Sequence, residues 1–272
     1  MATRMAFFRH MLGLTAALAC AGIAAAQTRV DGDPAGSDPV GIVADPCPAH
    51  SQPTTAEGWH LWNLHMLTRD YGQLCRYHAA NAALRSAGQP VRVVFFGDSI
   101  TDNWLKCDPS LFAPGIVDRG ISGQTTTQML IRFREDVNAL HPRAVHIMAA
   151  TNDIAGNTGA STLEIVEGNI QTMAEQARAH GIRVMLASTL PAAAFPWSPD
   201  KRPAPTIVAF NNWLRDYAAR NGFLYVDYYA ALADAAGGMK PGLSSDGVHP
   251  TPQGYAVMRP IAIAAVARVS RR

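Results

Sequence analysis

The stretch 91–101, VRVVFFGDSIT, constrains this chain more than any other part of it. Apolar or β-branched residues, broken only by Arg92, run straight into Gly97, Asp98 and Ser99. The TDNW segment that follows opens as a helix, with Thr101 or Asp102 available to cap it. An apolar run of this length without alternation suits a parallel strand covered on both faces. Gly97 permits a tight turn, so Ser99 stands at the carboxyl end of a buried strand, where open α/β sheets keep their polar groups.

The rest of the chain repeats this pattern. A short second strand, 116–118, enters RGISGQTTTQ, in which Thr125 and Gln128 stand at capping-box spacing ahead of a stripe of Met129, Leu130, Phe133, Val137 and Leu140. A third strand, 143–149, ends in AATNDIAGN. Ser161 with Glu164 caps a further helix with Leu163, Val166, Ile170, Met173 and Ala177 facing inward, and Gly181 stops it. Strand four (183–187), a Pro-, Ala- and Trp-rich loop (190–205), a helix to Asn221, strand five (223–226) and an Ala-rich helix that Pro260 should kink or restart complete the chain. Strands alternating with helices at this spacing predict an α/β domain over 56–272, a parallel sheet between two helical layers. Its first part, 56–88, has helical periodicity for one long helix or two short ones.

What precedes that domain differs in kind. Arg4 and Arg9, a small-residue apolar segment over 11–23 and Ala24-Ala25-Ala26 before Gln27 read as an export signal over 1–26, and residues 27–55, with five Pro, as a mostly unstructured leader. The residues before Cys20 fit a lipid-modified terminus poorly. Those two Arg account for the whole formal charge of +2. A neutral mature chain without a Lys/Arg cluster lacks the footprint that nucleic acid requires, and no later stretch approaches the roughly 18 apolar residues of a membrane span. Cys47, Cys75 and Cys107 do not have zinc-site spacing, and His60, His65 and His78 have no acidic or Cys partners at ligand spacing. Cys75 precedes strand one and Cys107 follows its corner, so the pairing Cys75 with Cys107 is expected and Cys47 is left over. Pairing of Cys47 with either one would tie the leader to the domain, and three free thiols also remain open.

Every polar motif falls at one end of the predicted sheet: Ser99 after strand one, Gly123 after strand two, Asn152 and Asp153 after strand three, Asp246 and His249 before the last helix. Serine becomes a nucleophile when an imidazole takes its proton and a carboxylate holds the other ring nitrogen, and Asp246-Gly-Val-His249 offers both groups. Donors for a developing oxyanion are available from the amides of Ser99 and Gly123 and the side chain of Asn152. The nucleophile elbow G-x-S-x-G occurs nowhere. Asp98 and Asp153 read as structural, orienting loop amides. His146 reads as a buried core histidine and Arg119 as a surface or loop-pinning residue.

With the blocks GDSI, GISGQTT, ATND and DGVHP in this order, the chain resembles the SGNH or GDSL hydrolase family over about residues 89–267. The resemblance implies a three-layer α/β/α sandwich with a five-stranded parallel sheet in flavodoxin-like order. It implies Ser99 as nucleophile, His249 as base, Asp246 as its orienter, and Ser99, Gly123 and Asn152 as the oxyanion hole. Ile100 replaces the usual Leu. Ala150 stands where a Gly is common, a methyl expected to narrow the acyl pocket. The expected activity is an exported, periplasmic or secreted serine esterase needing no cofactor and no metal. Its expected substrates are short-chain esters or O-acetylated saccharides, with lysophospholipase or thioesterase action as the alternative. Trp104, Phe195 and Trp197, with Phe112, are the expected pocket walls. Two rival readings are a metal phosphoesterase using Asp98, Asn152, Asp153 and His249, and a silent saccharide-binding domain.

Overall fold

The computed structural model describes residues 39, 41–47 and 55–270. The expected export signal and most of the leader therefore lie outside the described residues. The strands β1 (Val93–Gly97), β2 (Ile116–Gly120), β3 (Ala144–Met148), β4 (Arg183–Ala187) and β5 (Leu224–Val226) form one parallel sheet in the order β2-β1-β3-β4-β5. β1 and β3 are buried along their whole length, as their runs VVFFG and AVHIM require. The chain leaves β1 toward β2 on one side and returns to β3 on the other. The carboxyl ends of β1 and β3 thus form the switch point of the sheet, where such folds open a crevice.

Nine helices are present among the described residues: α1 (Ala56–Thr68), α2 (His78–Ser86), α3 (Ser99–Cys107), α4 (Thr126–Asp136), α5 (Thr151–Ala155), α6 (Leu163–Ala179), α7 (Ala204–Asn221), α8 (Tyr229–Leu232) and α9 (Pro252–Ser270). Alternate strand residues serve opposite faces. Val94, Phe96, Val145 and Ile147 pack against Met129 and Phe133 of α4, Ile170 and Met173 of α6, and Phe210 and Leu214 of α7. Val93, Phe95, Met148 and Met185 pack against Ile100 and Trp104 of α3, Leu232 of α8, and Tyr255 and Met258 of α9. This is the expected three-layer sandwich.

Local details depart from the sequence expectations for identifiable reasons. The periodic segment 56–88 is two helices. Asp98, rather than Thr101 or Asp102, caps the helix after β1, its Oδ1 accepting from the Ile100 amide at 2.9 Å, so α3 starts at Ser99 itself. Thr162, one residue beyond Ser161, caps α6 by accepting from the Ile165 amide. The capping box of Thr125 and Gln128 forms as expected. α9 continues through Pro260, whose neighbours Met258 and Ala262 are buried against the sheet; their packing outweighs the hydrogen bond a proline removes. The disulfide joins Cys47 to Cys75, and Cys107 is free and exposed. Cys107 ends a nine-residue helix and so lies about 13 Å along α3 from the corner. Cys75 belongs to a loop that the Asp70 carboxylate folds by accepting from the amides of Leu74 and Cys75, and this loop meets the leader instead.

Arg119, expected at the surface or pinning a loop, is buried. Its Nε donates to Asn81 Oδ1, its Nη1 to the Asp118 carbonyl, and its guanidinium lies over the Tyr77 ring. Burial outweighs its neighbouring charges and lowers its pKa. Beside it, Arg132 of α4 is fully buried. It donates to the carbonyls of Gly97 and Arg119, to Gln124 Oε1 and to Asp136 Oδ2, with its guanidinium 4.2 Å from the centre of the Phe96 ring. Replacing one partner of such a pair leaves the other charge buried and alone. Arg132→Met should therefore cost about 3–5 kcal/mol in urea unfolding, and Arg134→Met, on the exposed face of α4, less than about 0.5 kcal/mol. Equal midpoints for the two variants would show that the buried guanidinium does not support the fold.

Candidate active site

The polar corners converge on the switch point. Gly120 ends β2 where a Cβ would lie 2.1 Å from the Asp102 amide nitrogen, so only glycine lets α3 pack this closely. The loop after it carries Gly123 with φ +82°, a left-handed conformation, and nothing lies within 4 Å of the position a Cβ would take. That side of the loop is open to a ligand. After β3, Ala150 is also left-handed, at φ 85°, before Thr151 and Asn152 open α5. This is the physical reason a glycine suits the position, and the alanine costs about 1–2 kcal/mol of local strain. Its methyl is buried in the core, so the narrowing of the pocket expected from it does not follow.

Ser99 Oγ lies 2.9 Å from His249 Nε2, across 150 residues of sequence, and His249 Nδ1 lies 2.6 Å from Asp246 Oδ2. The other Asp246 oxygen accepts from the amides of Val248 and His249 at 2.9 and 2.8 Å. Partial burial pushes the Asp246 carboxyl up, but the hydrogen bonds from the His249 ring and from these amides outweigh it and hold the pKa at about 2. An ionised Asp246 can only accept, so Nδ1 carries the imidazole proton and Nε2 presents its lone pair to the Ser99 hydroxyl. Ser244 Oγ, 2.7 Å from the His249 carbonyl, braces the same turn. Ser99 is almost buried in the first turn of α3, whose amides have no partner within the helix.

Asn152 is buried. Its Nδ2 donates to the Gln124 carbonyl at 2.9 Å and lies 3.5 Å from Asp98 Oδ2, and its Oδ1 accepts from Asn157 Nδ2 at 2.8 Å. Asp98 is pushed up to about 6 by burial, with the Ile100 amide and His249 opposing. Asp153 accepts from the Thr126 amide and hydroxyl and so caps α4. Both carboxylates hold loop backbone, as read from the sequence. His146 is fully buried; its Nε2 pairs with the Tyr228 hydroxyl, and burial pushes its pKa down to about 3. Among the described residues, no three His, Cys, Asp or Glu side chains gather in a way that could hold a metal ion.

The expected pocket walls separate into two kinds. Trp197 is exposed, its ring centre 5.8 Å from that of His249, and its Nε1 donates to Asn157 Oδ1 at 3.0 Å. Phe195 is buried beneath it, stacked on its ring and packed with Ile207 and Val248, so it supports the wall without lining it. Trp104 is fully buried against the sheet between Phe95, Tyr228 and Tyr255 and offers no surface to a substrate. Helical phase explains this, because with α3 starting at Ser99 the ring falls one turn from buried Ile100. Sequence reading passed over Arg132, Gln124 and Asn157. Polar residues in helices and loops read as solvated, and only their partners far along the chain give them meaning.

Residues 95–257 match the GDSL-like Lipase/Acylhydrolase family. The structure is similar to that of a Bacteroides fragilis protein assigned to the acylhydrolases, with 44% identity, TM-score 0.72, and coverage of 75% of this chain and 100% of that one. It is also similar to a GDSL-like lipase from Bacteroides thetaiotaomicron, at 42% identity and TM-score 0.70, covering 73% of this chain and 99% of that one. An acetylxylan esterase from Geobacillus stearothermophilus shares the fold at 21% identity and TM-score 0.54, over 65% of this chain and 94% of that one. A curated Bacillus subtilis relative, the uncharacterized lipoprotein YqeF, is 29% identical over 172 residues, 53% of this chain and 70% of its own length.

The hydrogen bonds to Asp246 set a titration that can be measured. Its carboxyl should titrate near 2 by carbon-13 NMR, and His249→Ala, which removes the ring bond, should move it up toward the ordinary aspartate range. Because the folded pKa lies below the unfolded one, this group's contribution to stability is complete above about 4 and is lost as pH falls through about 2. An unchanged titration in His249→Ala would show that the amides alone hold the carboxylate.

Proposed function

This chain belongs to the GDSL-like lipase/acylhydrolase family and is a carboxylic ester hydrolase, and on that premise we propose that it works through an acyl-enzyme on Ser99. The observation that carries the reading is the Ser99–His249–Asp246 hydrogen-bonded series. Ser99 Oγ attacks the ester carbonyl carbon as its proton passes to His249 Nε2, and Asp246 stabilises the imidazolium. The negative oxygen of the tetrahedral intermediate is held by the amides of Ser99 and Gly123 and by Asn152 Nδ2. The intermediate collapses, the C–O bond to the alcohol breaks, and His249 returns its proton to the leaving oxygen. Water then gives a proton to His249, attacks the acyl carbon and releases the acid, while Ser99 recovers its proton. No step requires a cofactor.

The proposed substrates are short-chain esters or O-acetylated saccharides. Support comes from Trp197, whose exposed indole stands beside His249 as a flat apolar surface for the alcohol portion, and stacking on such a face suits a sugar ring. Export is supported by the basic and apolar start of the chain, by the Cys47–Cys75 disulfide, which suits an oxidising compartment, and by the name lipoprotein carried by the Bacillus subtilis relative. No helix among the described residues is long and apolar enough to cross a membrane.

Ser99→Ala should reduce kcat/KM for p-nitrophenyl acetate by about three or more orders of magnitude with unchanged circular dichroism. Wild-type enzyme should release acetate from acetylated xylan faster than fatty acid from a lysophospholipid. A serine variant retaining a tenth of the rate would overturn the acyl-enzyme. Faster lysophospholipid turnover would transfer the substrate assignment to lipid-like esters.

A further inference from the structure

We infer that Asn157, acting with Trp197, is a positioning residue that holds the oxyanion donors in their working orientation; this rests on the acyl-enzyme reading above. Asn157 is exposed, and it follows a left-handed turn at Gly156 (φ 81°) that brings the chain back beneath α5. There its amide donates to the Asn152 carbonyl at 3.0 Å. Its side-chain Nδ2 donates to Asn152 Oδ1 at 2.8 Å and to the Gly123 carbonyl at 3.3 Å, while its Oδ1 accepts from Trp197 Nε1 at 3.0 Å. One exposed side chain thus joins two of the three oxyanion donors to the aromatic wall beside the base.

The direction of this series is fixed at both ends. An indole N–H can only donate, so the oxygen of Asn157 must face Trp197 and its NH2 must face Asn152 and Gly123. Asn152 must then present its oxygen to Asn157, which turns its own NH2 toward the Gln124 carbonyl, a group that can only accept. One proton of that NH2 is used there. The other has only the long 3.5 Å approach to Asp98 Oδ2 in this structure and is the one the mechanism requires for the oxyanion. Without Asn157, the Gln124 carbonyl alone holds the amide against its flipped form, which would aim an acceptor at the developing negative charge; Asn157 adds the restraint on the Oδ1 side. At Gly123 the restraint is less direct: Asn157 holds the carbonyl of the peptide that follows the Gly123 amide, in a left-handed turn whose surroundings are open.

The test is steady-state kinetics on p-nitrophenyl acetate with folding checked by circular dichroism. Asn157→Ala should lower kcat about tenfold with KM within twofold, because a donor used in the transition state is loosened without being removed. Asn157→Asp keeps the shape and the acceptor for Trp197 but places a carboxylate against Asn152 Oδ1. It should fall further, by about a hundredfold, toward the loss expected of Asn152→Ala. A space-filling role predicts the opposite order, with the near-isosteric Asp above Ala. Trp197→Phe, which keeps a ring beside His249 but has no N–H, should lower kcat several-fold, and adding it to Asn157→Ala should cost almost nothing more. If Ser99-dependent turnover is intact and the Asn157 variants stay within twofold of wild type, or change KM alone, the inference falls and the acyl-enzyme stands. If wild-type turnover does not depend on Ser99, both fall.

Discussion

Arg132, fully buried, holds the carboxyl end of this sheet together. It donates there to two backbone carbonyls, that of Gly97 on β1, which also accepts from the Ile121 amide, and that of Arg119 on β2. Gly97 lies two residues before the proposed nucleophile. The third partner, the side chain of Gln124, belongs to the residue whose backbone carbonyl accepts from Asn152. The guanidinium therefore fixes the loops of β1, β2 and β3 relative to one another. Its desolvation costs several kcal/mol, which Asp136, the carbonyls and the face of Phe96 offset. Arginine suits this place because its planar fork reaches several acceptors at once, which a lysine cannot do.

Around this cation lies a polar layer in a region that hydrophobic patterning describes as helix surface. Asn81 of α2 accepts from Arg119 and donates to Asp136, and Gln124 and Gln128 reach back to the carbonyls of Gly72 and Tyr71. Asp118 accepts from the Gly120 amide, yet burial dominates and pushes its carboxyl up to about 7. A raised carboxyl favours the folded state below the unfolded pKa and loses that contribution as pH rises through the folded one. For Asp118 that contribution is complete below about 4 and is lost as the pH rises through about 7. It packs the α1–α2 segment against α4 and β2, and so extends the proposed site's support to residues far from it.

What the sequence could disclose follows from this division. Unbroken apolar strands and the turns after them are local signals, and β1, β3, the capping box of Thr125 and the four polar corners were legible for that reason. No local property relates Ser99 and His249, 150 positions apart; the parallel topology, which gathers the carboxyl-end loops, brings them together, and the family pattern agrees. The errors came where phase or a distant partner decides. Trp104 reads as a pocket wall when the segment after the corner is taken as irregular, but it belongs to α3, whose phase turns it into the core. Cys75 and Cys107 read as a pair because they flank β1, but nine helical residues carry Cys107 away. Arg119 was placed outside because its partners, Asn81 and Tyr77, lie on an element about forty residues earlier.

The two halves of the site rest on unequal foundations. The side bearing Ser99, Gly123 and Asn152 is bound to the sheet end by a buried charge. The side bearing His249 hangs on a turn whose Val248 packs into a small separate cluster with Phe195, Ile207 and Ala155. Asp246 and His249 are each about a third exposed, and Trp197 more so. Local openings concentrate where buried apolar area is small, so the turn of the proposed base and the aromatic wall beside it are the less firmly packed, adaptable half. The division suits an ester hydrolase: stabilisation of the developing oxyanion needs fixed donors, whereas the alcohol portion varies and meets the exposed wall. The hydrogen bond from Trp197 to Asn157 is where the two halves join, and substrate recognition on the adaptable side can reach the rigid one there.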